Sequence, residues 1–237
     1  MEAFAPPIPI EQWSAAAQWI TTTFSNLDYR ILEFYHNLHQ TCGKPLDIAV
    51  EIFTRLGDDG IFLILIALLL MLFKKTRKYG AGMLGGVIIG AILTNLTIKN
   101  VVARPRPYAY LETYWNWWKD VGHGLESEFS FPSGHVTSAM AAMTPLYLFF
   151  NKKKSWLLFI FVILLGATRN YVMVHYPSDI LGGIIVGGIA GVIAYLILRL
   201  FYDRFTQNTR LGRPIGEFDI RRPVKRLTEK VRSAKNS

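Results

Sequence analysis

Five segments of the chain are dominated by apolar residues and are separated by polar stretches. They cover residues 60–73, 80–98, 136–150, 155–168 and 180–198, and charged residues bound each of them. Alternation with a period of two is absent, so helices are predicted rather than the strands of a closed barrel. Several segments are shorter than the roughly 20 residues that cross a bilayer, and their polar flanks would have to extend the helices. The pattern predicts an all-α, polytopic membrane bundle of about five transmembrane helices.

The N-terminal part of the chain has a different pattern. Charged residues and histidines interrupt residues 11–57, and Ile48, Ile52 and Leu56 recur every four residues. This spacing predicts amphipathic helices that lie at the membrane interface or on the bundle. A sixth span within residues 18–40 is left open. The N-terminus lacks the basic segment of a signal peptide, so we expect no cleaved leader.

The predicted elements divide the chain into three regions. Residues 1–57 form the N-terminal interfacial region, residues 58–202 the transmembrane domain, and residues 203–237 a basic tail. The tail is poor in apolar residues from position 207 onward, so we expect it to be loosely ordered against anionic lipid.

Glycines recur at GxxxG spacing in two of the predicted helices, at Gly86 and Gly90 and at Gly183, Gly187 and Gly191. This spacing predicts close helix packing rather than a ligand role.

The distribution of charge gives the predicted bundle an orientation. Of 237 residues, 51% are hydrophobic and 18% charged, which is too few charges for an ordinary soluble surface, yet the net charge is +9. Eighteen of the 26 Lys and Arg residues lie within 74–78, 152–154 and 199–237. These clusters fall at alternate ends of five spans, the positive-inside pattern, which predicts a cytoplasmic tail and places loops 99–135 and 169–179 outside. The positive charge therefore predicts no nucleic-acid partner. The single cysteine, Cys42, excludes an internal disulfide and a cysteine zinc cluster.

The two outside loops contain side chains that membrane anchoring does not require. The first holds Lys99, Arg106 and the sequence Phe-Pro-Ser-Gly-His at 131–135, and the second holds Arg169 and His175. Clustered Lys and Arg side chains predict an anionic ligand, and the arginine fork suits phosphate. The Ser-Gly-His turn opens a predicted helix, whose free N–H groups favour phosphate. Two histidines can divide phosphoryl transfer, one attacking phosphorus and the other protonating the leaving oxygen.

These residues carry a resemblance to a known family. Lys99, six further residues and Arg106-Pro107 are followed by Pro-Ser-Gly-His at 132–135 and by Thr168-Arg169, His175 and Asp179. In this order and spacing they resemble the three motifs of the PAP2 (phosphatidic acid phosphatase type 2) superfamily, which vanadium haloperoxidases share. Thr168 departs from the usual Ser but keeps a hydroxyl. Arg104-Pro105 has the wrong spacing, so the motif role goes to Arg106.

The resemblance implies a role for each matched residue. His175 attacks phosphorus and forms a phosphohistidine, Asp179 orients His175, and His135 protonates the leaving group and then activates water. The remaining matched residues bind the phosphate group: Lys99, Arg106, Ser133, Gly134 and Arg169. The resemblance implies no metal and no other cofactor, and the sequence contains no carboxylate cluster with magnesium-type spacing.

The predicted function is that of an integral membrane lipid phosphatase whose partners are the lipid phosphate and the surrounding membrane lipids. Resemblance to small bacterial members implies the bacterial plasma membrane and a polyprenyl diphosphate or phosphatidylglycerol phosphate as substrate, and the charge pattern predicts a site at the outer face. A lipid phosphotransferase that uses the same phosphohistidine remains open, as does a non-catalytic transporter or scaffold. A serine hydrolase built on Ser133 and His135 leaves His175 and the three cations unexplained. The oligomeric state is not predicted.

Side chains outside the motifs have simpler interpretations. His36, His39 and His123 match no motif and are expected to be structural or to face solvent. Trp115, Trp117 and Trp118 are expected to anchor the outer loop at the interface, and a role in lining the lipid entry is the alternative.

Overall fold

The computed structural model of the protein describes residues 9–150, 153–210, 212–221 and 223. Within these ranges the regular structure is helical, which confirms the predicted all-α bundle. The α-helices are α1 (Ala15–Cys42), α2 (Lys44–Thr54), α3 (Ile61–Met71), α4 (Arg77–Ala91), α5 (Lys99–Val102), α6 (Glu112–Val121), α7 (Gly134–Phe150), α8 (Leu158–Tyr171), α9 (Pro177–Asn208) and α10 (Gly212–Glu217).

Each of the five apolar segments forms one of the central helices. α3, α4, α7, α8 and α9 correspond to them in order, and α4 continues through a π-helical stretch, Ile92–Ile98, into α5. In the described part of the chain, only the helices within Arg77–Ala109 and Pro177–Asn208 are both long and apolar enough to cross a membrane. Ile61–Met71 and Ser155–Tyr171 are apolar but shorter. The predicted number of five spans is therefore not confirmed and remains a prediction.

The central helices alternate in direction, so their ends collect at two faces of the bundle. At one face the Lys78 ammonium lies 5.7 Å from the Phe149 ring and 5.5 Å from the Tyr202 ring, joining the start of α4 to the ends of α7 and α9. The basic clusters at 74–78 and after 199 therefore share one face. The start of α7, the end of α8 and the start of α9 meet at the opposite face, where the motif residues lie.

Close packing of α7 against α4 and α9 depends on glycine. A β-carbon at Gly86 would lie 2.1 Å from the carbonyl oxygen of Ala141 in α7. One at Gly187 would lie 2.5 Å from the carbonyl oxygen of Thr137, also in α7. Contacts this short cannot be relieved by rotating a side chain, so these positions confirm that the glycine spacing serves helix packing.

The outward surface of the bundle is apolar. Leu65 of α3, Ile163 of α8 and Ile185 of α9 are each about 60% exposed, at 60%, 63% and 62%. In α2, Ile48 and Ile52 of the predicted amphipathic stripe are also exposed. An apolar surface of this kind is typical of contact with lipid.

Both flanking regions contact the bundle, which for the N-terminal helices is one of the two positions that the sequence leaves open. α1 contacts the first turn of α9, and α9 itself continues past the predicted domain boundary to Asn208. Part of the predicted loose tail is ordered, since α10 follows and Arg77 Nη1 donates to the carbonyl oxygen of Gly216 at 3.1 Å. Residues 224–237 of the predicted tail lie outside the described residues, and the three domain boundaries remain predictions.

Candidate active site

A cavity of about 440 Å³ opens at the face of the bundle where the motif segments meet. Five of the eight predicted site residues line it: Lys99, Arg106, Gly134, His135 and His175. Lys99 begins α5, Gly134 and His135 begin α7, and His175 lies in the turn between α8 and α9. Residues far apart in the sequence converge here because the helices that carry them alternate in direction.

His175 is held from both sides by its sequence neighbours. Its carbonyl oxygen accepts a hydrogen bond from Asn170 Nδ2 at 2.9 Å, and its ring atom Nδ1 lies 3.4 Å from Asp179 Oδ2. The same carboxylate oxygen accepts the Tyr176 N–H at 2.9 Å. Pro177 starts α9 and fixes its first turn, which places Asp179 beside the histidine. The second ring nitrogen, Nε2, lies on the side of the ring that faces Arg106.

The electrostatic surroundings of His175 favour the neutral imidazole. Burial lowers the pKa of His175 well below its usual value, and the positive charges of Arg106, Arg169 and Lys99 lower it further. A neutral imidazole has a free lone pair, which an attacking nitrogen requires.

Arg106 lies directly beside Nε2, the nitrogen of His175 that is remote from Asp179. Its Nη1 is 3.4 Å from His175 Nε2 and donates to the carbonyl oxygen of Val174 at 3.1 Å, while its Nε donates to the carbonyl oxygen of Glu128 at 2.8 Å. Two backbone acceptors therefore fix the guanidinium next to the position from which a nitrogen would attack.

Arg169 and Ser133 are brought close to the cavity without lining it. Arg169 is buried, and its Nη1 donates to Thr54 Oγ1 at 3.0 Å. The Ser133 N–H donates to the carbonyl oxygen of Asp179 at 3.1 Å. Among the described residues, neither the Ser133 hydroxyl nor Arg169 Nε has a hydrogen-bond partner. Buried polar atoms of this kind are uncommon and are available to a ligand.

His135 is positioned by two residues that the sequence analysis did not identify. Its Nε2 lies 2.9 Å from Asp58 Oδ1, in the turn before α3. A β-carbon at Gly57 would lie 2.6 Å from His135 Cδ2, so only glycine allows this turn to approach the ring. The sequence shows Asp58 only as a charge at the start of an apolar segment, and the contact depends on the fold.

Two further acidic residues in the loop before α7 neutralise the predicted phosphate-binding cations. Glu126 pairs with Arg169 and, at 3.3 Å, with Arg106, and Glu128 pairs with Lys99. Burial raises the pKa of Glu126, but the charges of Arg169 and Arg106 lower it by more, to about 2. A carboxylate thus occupies the positions where phosphate oxygens are expected.

Arg104, which the motif spacing passed over, is fully buried. Its Nη1 donates to Asp179 Oδ1 at 2.7 Å, on the side of the carboxylate away from His175. The doubled Arg-Pro in the sequence was the only indication of this residue.

The histidines outside the motifs contact residues away from the cavity. His39 Nδ1 lies 2.9 Å from Asp47 Oδ1, and His123 Nδ1 lies 3.1 Å from Glu51 Oε2. His36 stacks on a tryptophan ring of α6. Trp118 is buried among aromatic side chains that pack on the turn before His175, so packing rather than interfacial anchoring describes this tryptophan. Within the described ranges, no group of three or more His, Cys, Asp or Glu side chains could hold a metal ion.

Comparison with known proteins identifies relatives of this chain. Residues 78–203 match the PAP2 superfamily. The chain is 32% identical over 182 residues to undecaprenyl-diphosphatase BcrC of Bacillus subtilis, covering 75% of this chain and 89% of the relative. The crystal structure of Aquifex aeolicus LpxE superposes with a TM-score of 0.57 at 26% identity, covering 71% of this chain and 94% of that one. The crystal structure of a transmembrane PAP2-type phosphatidylglycerolphosphate phosphatase from Bacillus subtilis superposes with a TM-score of 0.58 at 23% identity, covering 82% of this chain and 94% of that one. At this identity the similarity is one of fold.

Proposed function

The chain belongs to the PAP2 superfamily and is a lipid phosphatase, and on this premise we propose that it hydrolyses a polyprenyl diphosphate such as undecaprenyl diphosphate. The choice of lipid rests on the undecaprenyl-diphosphatase of Bacillus subtilis, nearly all of which this chain covers. Phosphatidylglycerol phosphate is the competing substrate, because another relative from Bacillus subtilis, 31% identical over 147 residues, is phosphatidylglycerophosphatase B.

One observation carries the proposed chemistry: His175 Nε2 faces the cavity 3.4 Å from Arg106 Nη1, while Nδ1 faces Asp179. A nucleophile needs its lone pair directed at phosphorus, a cation beside the phosphate oxygens, and an acceptor for the proton on its other nitrogen. This geometry supports all three requirements at one residue.

We infer the following two steps. His175 Nε2 attacks the terminal phosphorus, forming a P–N bond as the P–O bond to the lipid phosphate breaks, and His135 transfers a proton to the departing oxygen. His135 then accepts a proton from water, whose oxygen attacks phosphorus, and the P–N bond breaks to release inorganic phosphate. Lys99, Arg106 and Arg169 compensate the charge on the equatorial oxygens, which develops most strongly in the transition state.

The same geometry supports a proposed membrane arrangement. The basic clusters share the face opposite the cavity, so the positive-inside rule favours an active site at the outer face of a bacterial membrane. The exposed apolar surfaces of α3, α8 and α9 favour a bilayer around the bundle. A diphosphate at headgroup depth would then reach the cavity while its polyprenyl tail stays in the lipid.

The test is phosphate release by the purified full chain in detergent from undecaprenyl diphosphate, phosphatidylglycerol phosphate and phosphatidic acid. We expect the highest kcat/KM on undecaprenyl diphosphate, and we expect His175→Ala to lower kcat/KM by at least about 1000-fold. His39→Ala is the matched control, because this histidine pairs with Asp47 away from the cavity. Wild-type rates in His175→Ala would refute the mechanism, and a preference for another lipid would refute the substrate. Labelled phosphate that appears on a second lipid, rather than in solution, would identify a phosphotransferase.

A further inference from the structure

A buried ion network lies directly behind the carboxylate that orients His175. Arg104 is at its centre and is completely shielded from solvent. Its Nη1 donates to Asp179 Oδ1 at 2.7 Å, and its Nη2 donates to Asp28 Oδ2 at 2.9 Å. Asp28 belongs to α1, some 150 residues before Asp179 in the sequence. The network therefore connects the N-terminal helix to the candidate nucleophile.

The two oxygens of Asp179 have separate partners. Oδ1 is bound by Arg104, while Oδ2 accepts the Tyr176 N–H and faces His175 Nδ1. The guanidinium of Arg104 also lies 3.7 Å above the ring of Tyr176, the residue that follows His175. Arg104 thus fixes both the plane of the carboxylate and the backbone next to the histidine.

Asp28 holds Arg104 and the start of α9 at the same time. Its Oδ1 accepts the Ser178 N–H at 2.9 Å, and its Oδ2 accepts the Ser178 hydroxyl at 2.7 Å. The first N–H groups of a helix have no partner within the helix, and a carboxylate placed there also interacts favourably with the helix dipole. Asp28 therefore stabilises the first turn of α9, in which Asp179 lies.

The balance of charge gives the network a chemical consequence. One buried cation, Arg104, stands between two buried acidic side chains, Asp28 and Asp179, so with both acids ionised the set has a formal charge of −1. Attack by Nε2 on phosphorus places positive charge on the imidazole ring, and a net negative group behind the ring stabilises it. If Asp28 lost its charge, Arg104 would neutralise Asp179, and the ring would lose this stabilisation.

We propose that Arg104 and Asp28 are positioning residues for the phosphohistidine step, with Asp28 compensating Arg104 so that the charge of Asp179 remains directed at His175. Neither residue touches the cavity that receives the phosphate, so the effect acts through Asp179. The inference rests on the nucleophilic role of His175 in the proposed function, but not on the identity of the lipid.

The variants Asp28→Asn and Arg104→Lys test the proposal in the purified full chain. Asp28→Asn keeps the shape of the side chain and removes its charge. Arg104→Lys keeps the charge, but an ammonium cannot span two carboxylates as the guanidinium fork does. We expect each to lower kcat by about 10- to 100-fold with KM changed less than about threefold, because the transition state loses stabilisation while ground-state phosphate binding is intact. The double variant should be no more than about threefold slower than the slower single variant, because both act on one carboxylate.

Asp47→Asn is the matched control. Asp47 also joins the N-terminal helices to the bundle, accepting the Tyr171 hydroxyl at 2.6 Å, but it has no contact with Asp179. Its kcat should stay within about twofold of wild type, even if its thermal midpoint falls. Equal losses in Asp47→Asn and Asp28→Asn, losses confined to KM, or multiplicative losses in the double variant would each overturn the proposal.

The experiment separates this proposal from the proposed function. All variants are compared on every lipid phosphate that the wild type cleaves, so a different substrate preference leaves the comparison intact. Full activity in His175→Ala would refute the phosphohistidine route and this inference with it. An inactive His175→Ala beside fully active Asp28→Asn and Arg104→Lys would refute the positioning role alone.

Discussion

Replacing Glu126 by Gln is expected to strengthen binding of inorganic phosphate. The Glu126 carboxylate bridges Arg169 and Arg106, two of the cations that we expect to hold the substrate's phosphate. A phosphate group can bind both arginines fully only after this carboxylate has moved away. The neutral amide would interact with them more weakly and would compete less.

The pKa of Glu126 gives the magnitude of this competition. The two arginines outweigh the effect of burial and lower the pKa from 4.5 to about 2, which corresponds to about 3 kcal/mol of preference for the charged form. The Glu126 side chain is 29% exposed, and an amide oxygen still accepts hydrogen bonds from arginine. We therefore discount the difference to about 1.5 kcal/mol, or roughly a tenfold lower inhibition constant for phosphate.

Product inhibition measures this constant directly. Hydrolysis by wild type and Glu126→Gln is followed at pH 7 with increasing inorganic phosphate, and the inhibition constants are compared. Glu51→Gln is the control, because Glu51 pairs with His123 and Arg55 outside the cavity. An unchanged or weaker inhibition by phosphate in Glu126→Gln would show that the carboxylate assists binding rather than competing for the arginines.

Three further outcomes are expected. Because the pKa of Glu126 is depressed, its stabilisation is fully present above a pH of about 4.5 and is lost as the pH falls to about 2, so the gap in thermal midpoint between wild type and Glu126→Gln should narrow from pH 6 to pH 3. Gly57→Ala should lower kcat by at least about tenfold by displacing the His135 ring, whereas Ala at Gly85, which has only an ordinary contact at 3.5 Å, should leave kcat unchanged. Gly187→Ala should lower the free energy of unfolding by about 1–3 kcal/mol, because the added methyl group separates α9 from α7. Gly188→Ala is the control and should not lower it, because the added β-carbon would lie 3.7 Å from the flexible end of a methionine side chain. Thermal unfolding in detergent measures both effects.

The sequence predicted the central helices well because their signal is local. Each long apolar run bounded by charge became one helix, including the last, predicted over 180–198 and observed as Pro177–Asn208. Helix ends were less well predicted, because the last helix begins with Pro177 and polar residues and continues past position 198 through mixed polar and apolar residues, so hydrophobicity does not mark its ends. The number of membrane spans was not settled, because α3 has only 11 residues and length alone does not identify it as a span.

The sequence predicted the part of the candidate site that belongs to motifs with fixed spacing. The motifs contain the residues that would touch phosphate, and five of them line one cavity. Asp179 follows His175 at a fixed spacing of four residues, but the other carboxylates that hold those residues have no fixed spacing to them. Asp58 reaches His135 from 77 positions away, and Glu126 reaches Arg169 from 43 positions away. Only the packing of the helices brings such pairs together.

The residues that complete the site also bear on where the catalytic unit begins. The superfamily match starts at residue 78, yet Arg104, Arg169 and His135 each have a partner that lies before it. Asp28 is the partner of Arg104, Thr54 that of Arg169, and Asp58 that of His135. Removing one of the partners of a buried arginine is unfavourable, so α1 and α2 help to hold Arg104 and Arg169 in place beside the carboxylates of Asp179 and Glu126. We infer that the N-terminal helices, which the sequence pattern suggests are a separate interfacial region, are part of the structure that makes His175 a nucleophile.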